Sequence, residues 1–298
     1  MPADFCQQAE QEAERLRSQM SRSTIDNYLM AIRSFRSFIS TTGSDCSLDE
    51  GLLKQYERWL HERTLKPNTA SCYMRSLRSL ITKLYGEDAR HLFCQVYTGR
   101  ATTEKRSLPI DDLPRLKAVR LSPGSFLALV RDLFLFSFYA LGMPFVDMAF
   151  LRRQQISNGQ ITYYRHKTGQ QVTVRIEPCM QEIINRYTVG EGDYVFPLLK
   201  STEPEKAYDE YLLMLNRYNR SLKQLADRAG ISQRLTSYVA RHTWASAAYS
   251  NNVDLPVISK ALGHANPNNT LVYVRQINDS RVEDANHSLL QFVRHLSK

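Results

Sequence analysis

The chain has 298 residues, enough for two domains that each bury a core of their own. Lys and Arg number 39 against 30 Asp and Glu, so the net charge of +9 suits a polyanionic partner without identifying one. The five cysteines show no metal-binding spacing and no apolar run reaches the ~20 residues of a membrane span, so we expect no disulfide framework, no metal site and no membrane segment.

Three amphipathic helices are predicted in the N-terminal part of the chain. Apolar residues recur at helical spacing over residues 21–40. Ser47 and Glu50 form a capping box that predicts the start of the second helix. The third helix follows Pro67 and stops at Gly86.

The polar face of the third predicted helix is basic and rich in hydrogen-bond donors. Such a face can contact DNA phosphates, or it can simply be solvated, and the residues alone leave both interpretations open. The candidate DNA-binding residues on it are Lys66, Asn68, Thr69, Arg75 and Arg78.

A linker is predicted between Tyr97 and Pro109, where the apolar periodicity disappears and small, polar and charged residues dominate. We therefore divide the chain into residues 1–105 and residues 106–298.

The second part begins with an apolar helix and then changes to a short β-rich stretch. Two runs of β-forming residues flank Lys167-Thr168-Gly169, which is typical of a hairpin. The remaining pattern is helical, so the predicted fold class is mainly α with a small β-hairpin or sheet. The elements expected here are helices over residues 125–141, 208–229 and 282–296, with Gly230 ending the second of them, and strands over residues 161–164 and 172–176.

Four residues of the second part form a constellation suited to DNA strand transfer. Arg241 lies at the start of a predicted helix, His264 follows a Leu-Gly pair at the end of the next helix, and Tyr273 comes nine residues later. A tyrosine can attack a phosphodiester if positive charge stabilises the phosphorane, and an arginine fork suits two phosphate oxygens. Lys167 in the hairpin is a candidate general acid for the departing 5′ oxygen.

With this constellation the chain resembles a tyrosine recombinase of the phage integrase family, including its Bacteroidetes-type integrases and invertases. The stretch from Thr69 to Arg78 resembles the family's helical, SAM-like core-binding domain, which clamps DNA. Residues 106–298 resemble its α+β catalytic domain. The resemblance implies that Tyr273 is the nucleophile and that Arg241, His264 and Lys167 are further active-site residues.

Two departures from the family pattern stand out. Tyr238 stands where the family has a histidine, and it can still donate a hydrogen bond to a phosphate. The family's first arginine is missing, because Pro144 occupies its position and Leu141 occupies the alternative one. Asp147 is either a carboxylate that orients Arg241 or positions its helix, or a solvated residue. The arginines considered as substitutes are Arg106, Arg131, Arg152 and Arg153.

The resemblance implies a site-specific recombinase that cuts and rejoins double-stranded DNA through a covalent 3′-phosphotyrosine and needs no cofactor or metal. It also implies a monomer in free solution that forms a homotetramer on synapsed sites. The charged N-terminal stretch does not resemble a signal peptide, so a cytoplasmic, nucleoid-associated protein is expected. The alternatives are a weakened or silent DNA-binding relative and a tyrosine-type topoisomerase.

Overall fold

The computed structural model describes residues 2–43, 47–101, 106–188 and 192–271. Their backbone is mainly helical with one small antiparallel sheet, which confirms the predicted fold class. The chain divides into two compact units, Met1–Glu104 and Lys105–Lys298. No helix in this described part is long and apolar enough to cross a membrane. The helix predicted over residues 282–296 lies outside the described residues.

The first unit is a group of helices packed around aromatic side chains. Phe35 and Phe38 of one helix meet Tyr56 of another, with ring centroids 5.0 and 5.3 Å apart. The Tyr56 hydroxyl donates to Ser34 Oγ at 2.8 Å, so this buried ring keeps its polar end satisfied. The helices are α1 (Pro2–Arg15), α2 (Arg22–Thr42), α3 (Glu50–Glu62) and α4 (Pro67–Tyr85), with short 3-10 turns at Leu16–Ser18 and Glu87–Phe93.

Most helix ends of this unit follow the predicted signals, and one does not. Ser21 caps α2, Pro67 opens α4 and Gly86 ends it. The predicted cap of α3 at Ser47 is wrong, because Asp49 Oδ1 accepts the Leu52 N–H at 2.8 Å. A carboxylate two residues nearer the helix is the stronger acceptor at a helix N-terminus.

The second unit is built around one buried helix. α6 (Phe126–Tyr139) is apolar on almost every face, and it therefore packs on several helices at once. The other helices are α5 (Asp112–Ala118), α7 (Phe145–Ala149), α8 (Pro178–Tyr187), α9 (Pro204–Ala229), α10 (Val239–Ser250) and α11 (Leu255–Ala261). A small cluster of Ala245, Ile258 and Leu262 lies between α10 and α11.

The sheet of this unit has three antiparallel strands, β1 (Ile156–Ser157), β2 (Gln160–Tyr164) and β3 (Gln171–Arg175), in that order. Ile161 lies opposite Val174, and Tyr163 opposite Val172, and all four side chains are buried. The sheet therefore has one face in the core and one exposed face. β2 and β3 form the predicted hairpin. β1 was not predicted, because its two residues are too few to show an alternating pattern.

Candidate active site

Arg241 is a buried residue of the first turn of α10. Its Nη1 donates to the Gly142 carbonyl at 3.0 Å and its Nη2 to the Leu262 carbonyl at 2.6 Å. Gly142 has a φ of +71°, and a Cβ there would lie 3.0 Å from both Cα and Cγ of Arg241. The glycine that opens the Gly-Met-Pro segment is thus needed for the close approach of the Arg241 stem.

The β2–β3 hairpin contributes a second buried guanidinium, that of Arg165. Its Nη1 donates to the Leu262 carbonyl, the same oxygen that Arg241 contacts. Its Nε lies 2.6 Å from Asp147 Oδ2. These two atoms form an ion pair but are not aligned as a hydrogen bond, and neither has a hydrogen-bond partner among the described residues.

Gly263 makes room for the aliphatic part of Arg165. A Cβ at this glycine, whose φ is +61°, would lie 2.8 Å from Arg165 Cγ. The Leu-Gly-His turn is therefore built against the stem of Arg165, much as Gly142 is built against the stem of Arg241.

Arg165 was missed in the sequence, although a signal for it exists. Side chains of a strand alternate between its two faces. Ile161 and Tyr163 are the buried positions of β2, and the same alternation places Arg165 on the buried side. An arginine at an inward position just before the hairpin turn requires a buried charge partner.

That partner is Asp147, and the structure corrects two of the roles predicted for it, the solvated residue and the carboxylate that orients Arg241. It is buried, so it is not a solvated helix residue, and it pairs with Arg165 rather than with Arg241. Its Oδ1 also accepts the His166 N–H at 2.8 Å. Burial raises the pKa of Asp147, while the charge of Arg165 and the His166 N–H act against that shift.

Lys167 lies in the turn of the hairpin with an exposed side chain. The next residue ties this turn to the loop after α11, because Thr168 Oγ1 donates to the Gly263 carbonyl at 3.0 Å. The hairpin and the Leu-Gly-His turn are thus fixed to each other, with Lys167 at their junction.

His264 completes the cluster. Its Nδ1 pairs with Thr270 Oγ1 at 2.8 Å. Partial burial, and then the positive charges of Arg241, Arg165 and Lys167, lower the pKa of His264 from 6.5 to about 4. The imidazole is therefore neutral near pH 7, and its ring lies close enough to all three cations for their charges to lower its pKa.

The two predicted tyrosines differ in what the structure describes of them. Tyr238 stands at the N-terminus of α10 with an exposed side chain, and its ring centroid lies 6.0 Å from that of His242. Tyr273 lies outside the described residues.

The positions considered for the missing arginine are otherwise occupied. Leu141 is half-buried against the core with a φ of +57°, and Pro144 precedes α7. Among the candidate substitutes, Arg131 is held by Asp132 and the Val119 carbonyl, Arg152 lies over the ring of Tyr194 at 5.9 Å, and Arg106 is exposed. The backbone N–H of Arg153 donates to the Asp193 carbonyl at 2.9 Å, whereas its side-chain Nε is buried and has no hydrogen-bond partner among the described residues.

The side chains of three of the five candidate DNA-binding residues make hydrogen bonds to described residues of the first unit. Asn68 exchanges two bonds of 2.9 Å with the backbone of Ala101. Arg75 donates to the Gly99 carbonyl at 2.6 Å, and Arg78 to Thr98 Oγ1 at 2.9 Å. These side chains hold the segment 98–101 along α4. Lys66 is exposed and Thr69 is half-buried.

A helical unit that gathers two arginines, a lysine and a neutral histidine around one turn is suited to hold a phosphodiester, which is the task of an enzyme that transfers DNA strands. Residues 116–279, more than half of the chain, match the phage integrase family, and residues 4–89 match the phage integrase SAM-like domain. The chain therefore belongs to the phage integrase family. The predicted activity, site-specific DNA recombination by a tyrosine recombinase, is confirmed at this level.

Individual relatives agree with this assignment. The tyrosine recombinase XerD of Rhizobium meliloti is 25% identical over 295 residues, which cover 93% of this chain and 90% of that protein. The tyrosine recombinase XerC of Halalkalibacterium halodurans is 24% identical over 268 residues, covering 87% and 88%. The structure of the Tn1549 transposon integrase in complex with a circular intermediate DNA has a TM-score of 0.68 at 16% identity, covering 95% of this chain and 99% of that one. This last similarity shows a shared fold.

Proposed function

We propose that this recombinase cuts one DNA strand with Tyr273 and rejoins it to a partner strand. The phenol of Tyr273 loses its proton to solvent as its oxygen forms a bond to the scissile phosphorus, the bond from phosphorus to the 5′ oxygen breaks, and that oxygen takes a proton from Lys167. In the second step the 5′ hydroxyl of the partner strand returns its proton to Lys167 and attacks the phosphotyrosine, and the released Tyr273 oxygen takes a proton from solvent. Because the ester conserves the bond energy, neither step requires a nucleotide or metal cofactor.

The observation that supports this proposal most is the convergence of three separate elements on the turn at Leu262. Arg241 from α10 and the Lys167 hairpin, through Arg165 and Thr168, donate hydrogen bonds to the carbonyls of Leu262 and Gly263, and His264 is the next residue of the same turn. Such a framework holds cationic donors in place before the substrate arrives, which is how charge on a transition state is stabilised most effectively.

Each side chain has a role that fits its surroundings. The planar fork of Arg241 binds non-bridging phosphate oxygens. Lys167, exposed at the hairpin turn, reaches the 5′ oxygen and gives it a proton. Neutral His264 donates a hydrogen bond from the ring nitrogen that does not face Thr270. The exposed hydroxyl of Tyr238 donates to a phosphate oxygen.

The partner in this proposal is double-stranded DNA, and the acting form is a homotetramer on two synapsed sites formed from free monomers. The structure of the Tn1549 transposon integrase in complex with a circular intermediate DNA supports DNA as the partner. On the first unit, Lys66 and Thr69 contact DNA phosphates. Asn68, Arg75 and Arg78 contact them through the donor groups that are not hydrogen-bonded within the unit. A DNA-bound chain of this kind is found with the nucleoid.

The experiment is covalent capture on nicked duplexes taken from the DNA that flanks the gene. We expect the wild-type chain to form a protein–DNA adduct, and Tyr273→Phe to form none while binding the same DNA with nearly unchanged affinity. Tyr164→Phe, at a tyrosine with 67% exposure on the sheet, is the matched control and keeps the adduct.

The other outcomes separate the alternatives. Undiminished adduct with Tyr273→Phe rules out this nucleophile. Binding without any wild-type adduct indicates a silent DNA-binding relative. Adduct with relaxation of supercoils, and no exchange between two sites, indicates a topoisomerase.

A further inference from the structure

The recombinase site proposed above lacks one guanidinium at the positions where the family carries it, since Leu141 and Pro144 stand there. A buried guanidinium that the sequence did not predict lies on the hairpin and pairs with Asp147. We propose that Arg165 is a catalytic residue that binds the scissile phosphate beside Arg241 and replaces the missing arginine. This inference rests on the proposed function of Arg241 and Tyr273.

The first argument is distance. Nη1 of Arg165 and Nη2 of Arg241 both donate to the Leu262 carbonyl oxygen. Two nitrogens within hydrogen-bond reach of one oxygen are at most about 6 Å apart. One phosphate can therefore lie within reach of both guanidiniums.

The second argument concerns the donors of Arg165. A guanidinium has five N–H groups on three nitrogens. In the described part of the chain, Nε faces Asp147 and Nη1 binds Leu262, so Nη2 is the remaining nitrogen for a substrate. Arg165 is held at two of its corners and is thereby oriented, as a group that must meet a transition state should be.

The third argument is the cost of placing Arg165 there. Burying a second cation beside Arg241 is unfavourable both through desolvation and through repulsion between like charges. Asp147 offsets part of this, but a neutral side chain at position 165 could join the hairpin to the turn without either penalty. An anion bound between the two guanidiniums offsets both penalties, which explains why two buried cations lie side by side.

The fourth argument is that both arginines are accommodated in the same way. Each stem passes a glycine of positive φ, Gly142 for Arg241 and Gly263 for Arg165, where a Cβ would lie 3.0 or 2.8 Å from the arginine. Burial is the main cause of the lowered pKa of His264, and the charges of Arg241 and Arg165 add to it, so both guanidiniums lie near one ring.

Asp147 then acts as a positioning residue. It belongs to the Gly142–Asp147 segment, where the family's arginine would lie, and it holds Arg165 by Nε and the following residue by its N–H. The segment that has lost the arginine thus supplies the carboxylate that orients its replacement.

The test is single-turnover cleavage by Arg165→Met on two versions of the same nicked duplex. One carries a normal scissile phosphate, and the other a methylphosphonate, which lacks the negative charge that an arginine would bind. On the phosphate we expect the variant to be slower by about a hundredfold to a thousandfold. On the methylphosphonate we expect the gap to wild type to shrink to less than about tenfold, because the neutral group needs less compensation. Arg175→Met, at an arginine of the same hairpin with 82% exposure, is the matched control and leaves both rates unchanged.

A second variant guards against misfolding, since Arg165→Met leaves Asp147 buried without its cation. Arg165→Met combined with Asp147→Asn removes both charges together, and the same phosphate-specific loss is expected. An equal loss on the two substrates, or no loss on the phosphate, would overturn the role of Arg165 and make it a structural residue. If the wild-type chain forms no Tyr273-dependent adduct at all, the proposed function fails instead, so the two failures are distinguishable.

Discussion

At the scale of single residues, the site depends on where glycine is and where it is not. Gly142 and Gly263 have positive φ values and lie against arginine stems, whereas Leu141 has a similar φ, +57°, and a side chain that packs on the core. The backbone at Leu141, just before Gly142, is therefore strained, and the side chain at this position packs on the core instead of carrying a charge.

The space beside Gly263 gives a first prediction. Gly263→Ala places a Cβ 2.8 Å from Arg165 Cγ and 2.9 Å from Val172 Cγ2, so both side chains must shift and cleavage should slow by at least about tenfold. We also expect a loss of stability of about 1–3 kcal/mol from overpacking, measured by urea unfolding. The control is Gly159→Ala, which has a φ of +71° and no atom within 4 Å of its added Cβ. If the two variants behave alike, backbone strain alone explains the effect and the contact with Arg165 is unimportant.

The titration of His264 gives a second prediction. Its pKa in the folded chain is about 4, below the ordinary value of 6.5. Between these values the unfolded chain binds a proton that the folded chain does not, so stability falls as the pH falls from about 6.5 towards 4. His264→Gln removes this group, and the decrease in unfolding free energy between pH 7.5 and pH 5 should become smaller than in wild type. His61→Gln, at an exposed histidine, is the control. A decrease as large as that of wild type would show that His264 does not titrate as described.

At the scale of secondary structure, local signals were sufficient for most helices. The apolar period and the terminal Ser21, Pro67, Gly86 and Gly230 placed α2, α4 and the end of α9 within a few residues. These capping and termination signals act within one turn of the helix, so they can be read directly from the local sequence.

Contacts between elements were not predictable in the same way. The Leu262 carbonyl binds Arg165 from 97 residues earlier in the chain, and nothing local to either residue announces the other. The β-rich run ended at Tyr164 when judged by hydrophobicity, so the inward arginine that follows it was overlooked. The same limit applies to α4, where Arg75 and Arg78 looked like free DNA-binding groups but also hold residues 98–101.

At the scale of the whole molecule, the charge balance is the property that governs DNA binding. An excess of nine positive charges attracts a polyanion, and each phosphate contact releases condensed counterions. Every such contact contributes about −0.9 to the slope of log K against log salt.

The last prediction is therefore a steep salt dependence that single variants reduce in different ways. We expect a slope steeper than about −3 for the wild-type chain, measured by fluorescence anisotropy with a duplex in increasing NaCl. Lys66→Ala removes an exposed cation and should make the slope shallower by about one unit without changing unfolding. Arg75→Ala also removes the bonds to Gly99 and Ser71, so it should lower the stability of the first unit as well as the affinity. A wild-type slope shallower than about −3 would contradict extensive phosphate contact, and a Lys66→Ala slope equal to that of wild type would remove this lysine from the DNA interface.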